Sequence, residues 1–255
     1  MNTVDRVISI VSYMAEKAKP LTLADISGKL RINKSGTYRI LSFLEVAGWI
    51  IQQPDTGWYS LGPRIVAFST NVISNLTVRS ISSPYMEELL DSIGETVVLN
   101  MRVGYERLIV DLLTPSHDLL YYAPLGRRTP LWVGSHGKTI LAFLPDYEIE
   151  IGMEKLRKLE YKAYASGEVI NIDILRQKLA EIRKDGFAVS LGESVKGVIG
   201  IAAPIFGRGQ EVIGSLAIAA PSVRLTEDTA RQHGLLIKHS ANEISMRLGN
   251  FYWHK

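Results

Sequence analysis

Asn33-Lys34-Ser35-Gly36-Thr37-Tyr38-Arg39-Ile40-Leu41-Ser42-Phe43-Leu44 decides how the rest of this 255-residue chain is read. Asn33 is a strong helix N-cap, because its side-chain oxygen can take a free amide proton of the first turn. Thr37, Ile40, Leu41 and Leu44 then recur at helical spacing as an inward stripe, which turns Ser35, Tyr38, Arg39 and Ser42 outward. A helix over about 34–46 with Lys34 at its start and Ser, Tyr and Arg outside carries what reading duplex DNA requires. Arg forks onto guanine, hydroxyls reach phosphates or base edges, and a helix amino end favours phosphate.

Upstream, Val4, Val7, Ile8, Val11, Met14 and Ala15 predict an amphipathic helix, stopped by Lys19-Pro20 because the residue before proline avoids the α region. Thr22 and Asp25 make a capping box for a short second helix with Leu23, Ile26 and Leu30 inward, and three residues separate it from Lys34. Downstream, Gly48 and Trp49–Gln53 precede Pro54-Asp55-Thr56-Gly57, and Trp58–Leu61 follows, which predicts two short strands around a tight turn. Three helices and a hairpin in this order predict a winged helix-turn-helix over residues 1–61. The alternative, an ordinary three-helix core with a hairpin, leaves the outward basic face unexplained.

Charge is segregated in the same way. The net charge is only +3, yet residues 1–79 hold nine Lys or Arg against five Asp or Glu, and the remaining 176 hold 20 against 21. Between Asp25 and Glu45 stand Lys29, Arg31, Lys34 and Arg39 with no acid, a cluster that attracts a polyanion. The chain has no Cys, which excludes disulfides, thiolate zinc sites and cysteine nucleophiles and fits a reducing cytoplasm. No apolar run is long enough to span a membrane, and Asp5 and Arg6 interrupt any signal-peptide core.

Residues 62–78 read as a linker helix: Pro63 suits a first turn, and Ile65, Val66, Phe68, Val72, Ile73 and Leu76 spread apolar surface over several turns. Residues 79–255 read as a second, α+β domain. Ser83-Pro84 starts a helix, Thr96–Val103 and Arg107–Leu113 form a hairpin, and Leu119–Ala123 is a further strand. Helices are expected over Ser135–Leu144, Ile172–Asp185 and Leu225–Leu248. Strands are expected over Phe187–Leu191, Val198–Phe206 and Val212–Ala219. Strands flanked by helices predict an antiparallel or mixed sheet.

With these residues in view, the chain resembles the IclR-type bacterial transcriptional regulators. The resemblance rests on Pro20-Leu21-Thr22-Leu23-Ala24-Asp25-Ile26, on Lys34-Ser35 with Tyr38-Arg39-Ile40-Leu41, and on Gly48-Trp49-Ile50 and Tyr59-Ser60-Leu61-Gly62. In the second domain it rests on Gly94-Glu95-Thr96-Val97, Gly137-Lys138-Thr139-Ile140-Leu141-Ala142-Phe143, Ile182-Arg183 with Gly186-Phe187, and Ile201-Ala202-Ala203-Pro204-Ile205-Phe206. It implies a winged helix-turn-helix and a GAF-like effector-binding domain in a homodimer or dimer of dimers that binds double-stranded operator DNA and responds to a small metabolite. Lys34, Ser35, Tyr38 and Arg39 take the recognition-helix roles, and the hydroxyls of Thr22, Thr37 and Ser42 complete the candidate DNA-binding set. One departure is Gly36, where the family usually has Thr.

The resemblance places the effector pocket among Gly134, Ser135, His136, Glu193, Val198, Gly200, Ala217 and Ala219. Members resembling glyoxylate sensors tend to carry Cys or Ser where this chain has Gly200, Ala217 and Ala219. That change predicts a larger, less polar site and an aromatic or hydroxy-aromatic carboxylate as effector. Met101, Tyr121 and Trp132 are added as candidate lining, with His136, Ser135 and Arg102 holding the polar end. The alternative for His136 is a hydrogen-bonded structural residue.

Catalysis finds little support. Gly192-Glu193-Ser194-Val195-Lys196-Gly197 lacks the G-x-S-x-G spacing, the five His residues never pair at metal-binding spacing, and Gly207-Arg208-Gly209 lies between two strands. No cofactor or metal is expected. Two rival functions remain: an enzyme acting in the C-terminal pocket, tested by turnover of a bound ligand, and a non-specific DNA-structuring protein, tested by footprinting with and without metabolites.

Overall fold

A computed structural model describes residues 2–17, 19–68, 77–159, 165, 167 and 169–249. The chain divides into two compact units, Met1–Asn75 and Leu76–Lys255. No described helix is long and apolar enough to cross a membrane.

The first unit contains α1 (Thr3–Lys17), α2 (Leu23–Leu30), α3 (Lys34–Val46) and the antiparallel pair β1 (Ile50–Gln52) and β2 (Tyr59–Leu61). Local chemistry sets each boundary. Thr22 and Asp25 form the reciprocal capping box, with the Asp25 amide donating to Thr22 Oγ1 at 3.1 Å and the Thr22 amide to Asp25 at 2.9 Å. Asn33 caps α3 by accepting from the Gly36 amide at 2.7 Å. Ile10, Met14, Ile26, Leu41, Leu44, Ile50 and Tyr59 form the core. Leu21 pairs with Tyr59 through both backbone bonds, so the start of α2 is stitched to the hairpin. The close return after β2 needs Gly62: a Cβ there would lie 2.4 Å from the Gly48 carbonyl oxygen.

The stripe expected on α1 is rotated. Ile10 and Met14 face the core, flanked by half-buried Val7 and Val11, whereas Val4, Ile8 and Ala15 are exposed. Two apolar stripes run side by side on this helix, and the one containing Ile10 meets the core of the unit. Of the expected linker helix, residues 64–68 are helical, and Phe68 packs against Trp49 with ring centroids 5.0 Å apart. Val72, Ile73 and Leu76 lie outside the described residues, as does the tail Phe251-Tyr252-Trp253.

The second unit is a six-stranded, wholly antiparallel sheet with helices on both faces, an α+β architecture. Its elements are α4 (Thr77–Ile93), β3 (Thr96–Val103), β4 (Glu106–Leu113), β5 (Arg128–Pro130), α5 (Gly134–Ala142), α6 (Asp146–Leu159), α7 (Ile172–Asp185), β6 (Ala188–Leu191), β7 (Val198–Phe206), β8 (Val212–Pro221) and α8 (Glu227–Arg247). The strand order is β5-β4-β3-β8-β7-β6. Period-2 alternation divides the sheet. Val97, Leu99, Ile201, Ala203, Leu216 and Ile218 pack under α4 and α8, while Val98, Ala202, Ala217 and Ala219 face the opposite way with Tyr121 and Ala123.

Two expectations are corrected here, and one helix is added. Ser83-Pro84 does not start a helix: Pro84 sits inside α4, because its fixed φ is helical and its missing amide forfeits a single backbone bond. Leu119–Ala123 is not a strand: the Tyr121 carbonyl accepts from Thr96 Oγ1 at 2.7 Å in place of a ladder partner. Helix α6 was not anticipated, although Ile149, Met153 and Leu156 bury at helical spacing immediately after Pro145.

Candidate nucleic-acid interface and ligand cavity

Helix α3 presents Lys34, Ser35, Tyr38 and Arg39 to solvent. Tyr38 is 54% exposed, and neither Lys34 nor Arg39 has an ion-pair partner among the described residues. Ser42 is half-buried. Two hydroxyls of the expected set are committed locally. Thr37 is fully buried and donates to the Asn33 carbonyl at 3.1 Å, so its inward position in the stripe removes it from the reading face. Thr22 donates to Asp25 Oδ2 at 2.7 Å, and these bonds hold the Asp25 carboxyl below the usual carboxylate range. Gly36 has a structural reason: a Cβ would stand 2.7 Å from Asn33 Oδ1, the atom that caps the helix. Phe43 and Val46, exposed at the far end of α3, were not expected on this surface.

In the second unit the amino end of α5 lies over the sheet. Gly134 adopts φ 69°, which frees its amide and that of Ser135 to point away from the helix. The Ser135 amide donates to Ser190 Oγ at 2.9 Å, and the Gly134 amide to Glu193 Oε2 at 3.2 Å. The same Glu193 oxygen takes Lys138 Nζ at 2.6 Å. Ser215 Oγ donates to the His136 carbonyl at 3.0 Å and ties the helix to β8.

Between α5 and the sheet is a cavity of about 20 Å³, lined by Gly134, Ser135, His136, Val198, Gly200 and Ala219 together with Tyr121 from the irregular segment. Arg107, Ser190, Ser194 and Val195, absent from the expected set, line it too. Two of its buried polar atoms have no hydrogen-bond partner, Ser135 Oγ and His136 Nδ1. The His136 ring is hydrogen-bonded to the backbone of Ile218, but burial, and then the nearby Arg107 guanidinium, hold its pKa well below 6.5. The imidazole is therefore neutral at pH 7, and with its ring proton given to Ile218 it presents Nδ1 to the cavity as an uncharged acceptor.

Several other expected pocket residues fall elsewhere, and Gly200 lines the cavity for a different reason than expected. Met101 is on the opposite face, against the cluster under α4 and α8, because it shares the parity of Val97 and Leu99. Ala217 is buried in the apolar wall beside Ala202 and Ala219 and does not reach the cavity. Arg102 is engaged by Glu148 and by the Gly104 carbonyl. Gly200 does not enlarge the site: a Cβ there would meet Ser135 Oγ at 2.6 Å and Ser190 Oγ at 3.1 Å, so the glycine admits those hydroxyls close to the strand. Trp132 lines a separate, open groove of about 560 Å³ with Lys138, Ile174, Leu175, Leu191 and Glu193. Strand alternation could have flagged Ser190. Nothing local announces that Arg107 would face the same space.

Residues 3–54 match the IclR helix-turn-helix domain, and residues 70–246 match the C-terminal domain of IclR bacterial transcriptional regulators. The chain is 31% identical over 247 residues to the HTH-type transcriptional regulator KipR of Bacillus subtilis, covering 97% of each protein. It is 30% identical over 245 residues to the HTH-type transcriptional repressor AllR of Salmonella paratyphi A, covering 96% of this chain and 89% of that protein. Its fold matches the crystal structure of an IclR homolog from Microbacterium hydrocarbonoxydans complexed with 4-hydroxybenzoate, with a TM-score of 0.79, 22% identity, and 97% and 99% of the two chains covered.

Proposed function

The chain belongs to the IclR family of bacterial transcriptional regulators, and from that premise we propose that it is a homodimer or dimer of dimers that reads a near-palindromic operator through α3. Its affinity for DNA is set by a small organic acid bound beneath α5, with an aromatic carboxylate as the favoured class. The observation that carries the DNA-reading half is the outer face of α3, where Lys34, Ser35, Tyr38 and Arg39 stand exposed on a helix whose inner stripe is locked in a core. Two such helices related by two-fold symmetry would contact half-sites about 34 Å apart, or a multiple of that. The effector half is supported by two buried polar atoms with no protein partner, aimed at one cavity, and by the 4-hydroxybenzoate complex of the Microbacterium homolog.

A ligand can alter DNA binding only through its difference in affinity between two arrangements of the dimer. Operator selection followed by gel-shift titration tests the reading. Arg39→Ala is expected to weaken operator binding by about 1–3 kcal/mol and to relax preference at one base pair. An unchanged affinity removes Arg39 from the reading surface. Glyoxylate, benzoate and 4-hydroxybenzoate added to the same titration should include at least one compound that moves the midpoint, and a midpoint indifferent to all three rejects the acid-sensing half.

A further inference from the structure

Glu193 occupies a seat that suits a carboxylate. One of its oxygens bridges the first amide of α5 and the Lys138 ammonium, at 3.2 and 2.6 Å. The helix amino end and the lysine both favour negative charge. The segment carrying it, residues 192–197, begins and ends on glycines with positive φ, Gly192 at 66° and Gly197 at 77°. It also forms a partition. Ser194 and Val195 line the small cavity, and Gly192 and Glu193 line the open groove on the other side. The start of α5 is divided in the same way, with Ser135 and His136 on the cavity and Trp132 and Lys138 on the groove.

The two spaces differ in a way that selects a ligand. The cavity is polar, with unpartnered Ser135 Oγ and His136 Nδ1, but its volume of about 20 Å³ is close to what one water occupies. The groove, at about 560 Å³, is lined by Trp132, Ile174, Leu175 and Leu191 and holds Lys138. An acid with an apolar body therefore cannot lie wholly inside, yet its body fits the groove.

On the reading above that the C-terminal unit binds an organic acid, we propose that Glu193 is a built-in competitor for it. The incoming carboxylate replaces that of Glu193 on the Gly134 amide and Lys138, and the apolar body of the acid lies in the groove against Trp132, Ile174 and Leu191. Ser135 Oγ donates to the carboxylate from the inner side. Displacement releases residues 192–197, so occupancy is reported by a change in this partition. Neutral amides of the same shape gain nothing from Lys138 and do not displace Glu193.

Calorimetric titration of the full-length protein with hexanoate and benzoate, each paired with its amide, tests the proposal. Glu193→Gln removes the competing charge and should tighten binding of both acids by roughly tenfold or more while leaving the amides unchanged. Lys138→Met should abolish the preference for acid over amide. Ile174→Trp, a change at an exposed position, should block the groove and weaken benzoate in an otherwise normally folded protein. Acid affinity that is unchanged or lower in Glu193→Gln overturns the competitor role and leaves the effector reading standing. Failure of wild type and Glu193→Gln alike to bind any of the four probes also overturns it. A response of operator binding to glyoxylate in that case would retain the effector reading with a smaller ligand, and no response would sink both.

Discussion

At residue scale, His136 shows how a single group links the cavity to stability. Its pKa is depressed in the folded chain, first by burial and then by Arg107. An unfolded imidazole protonates near pH 6.5, so below that pH the unfolded state takes up a proton that the native state refuses, and stability falls. Above that range the group is neutral in both states and contributes no pH dependence. Urea unfolding measured from about pH 5 to 8 should show stability declining toward acid, by at most about 1.4 kcal/mol per pH unit from this group. His233, also lowered by burial, adds in the same direction. The decisive comparison is therefore with His136→Gln, which should flatten the acid limb by one proton's worth. Identical slopes in the two proteins reject the assignment. The type and position of His136 were readable from the chain, but its neutrality was not, since that depends on the sheet beneath it and on an arginine 29 positions away.

At the scale of an element, α2 and α3 are governed by caps. Both N-caps were legible, because a cap is a contact between residues two or three apart. Thr22→Ala should cost about 1 kcal/mol and lower the first thermal transition, whereas Thr22→Ser should keep the transition where it is. An unmoved transition in Thr22→Ala denies the capping box any weight. Because Thr22 is spent on Asp25, this pair of variants also separates a cap from a DNA contact: reduced operator affinity in Thr22→Ser at unchanged stability assigns the methyl-bearing residue to DNA. Helix α1 marks the limit of the same logic. Its two neighbouring apolar stripes have similar local merit, and only the position of Ile26, Leu41 and Leu44 selects the one with Ile10 and Met14.

For the molecule as a whole, the division of labour follows the division of charge. The basic excess sits in the first unit and the near-neutral balance in the second, so DNA affinity should fall steeply with salt while effector affinity is less affected. Counterion release predicts a log–log salt slope of about −0.9 for each phosphate contacted. Lys34→Ala should make that slope shallower by about one and weaken all sequences nearly equally, in contrast to the base-selective loss expected for Arg39→Ala. Gel-shift titrations at several salt concentrations check this, and an unaltered slope in Lys34→Ala removes Lys34 from the phosphate contacts.

Sequence alone determined whatever short-range chemistry controls: the capped helices, the turn at Pro54–Gly57, the β3–β4 and β7–β8 pairs, the outward basic face of α3 and the family itself. Tertiary structure decided which side of each pattern is covered. Period 2 says that Val98 and Met101 lie on opposite faces of β3, but not which face α5 will close over. It therefore left Met101 outside the cavity and brought in Arg107 and Ser190. The same closure set Gly200 against Ser135 and turned an expected enlargement into a close approach. The reason is physical: a hydrogen bond between near neighbours costs little chain entropy to form, whereas the covering of a face is settled by the summed burial of segments far apart in the chain.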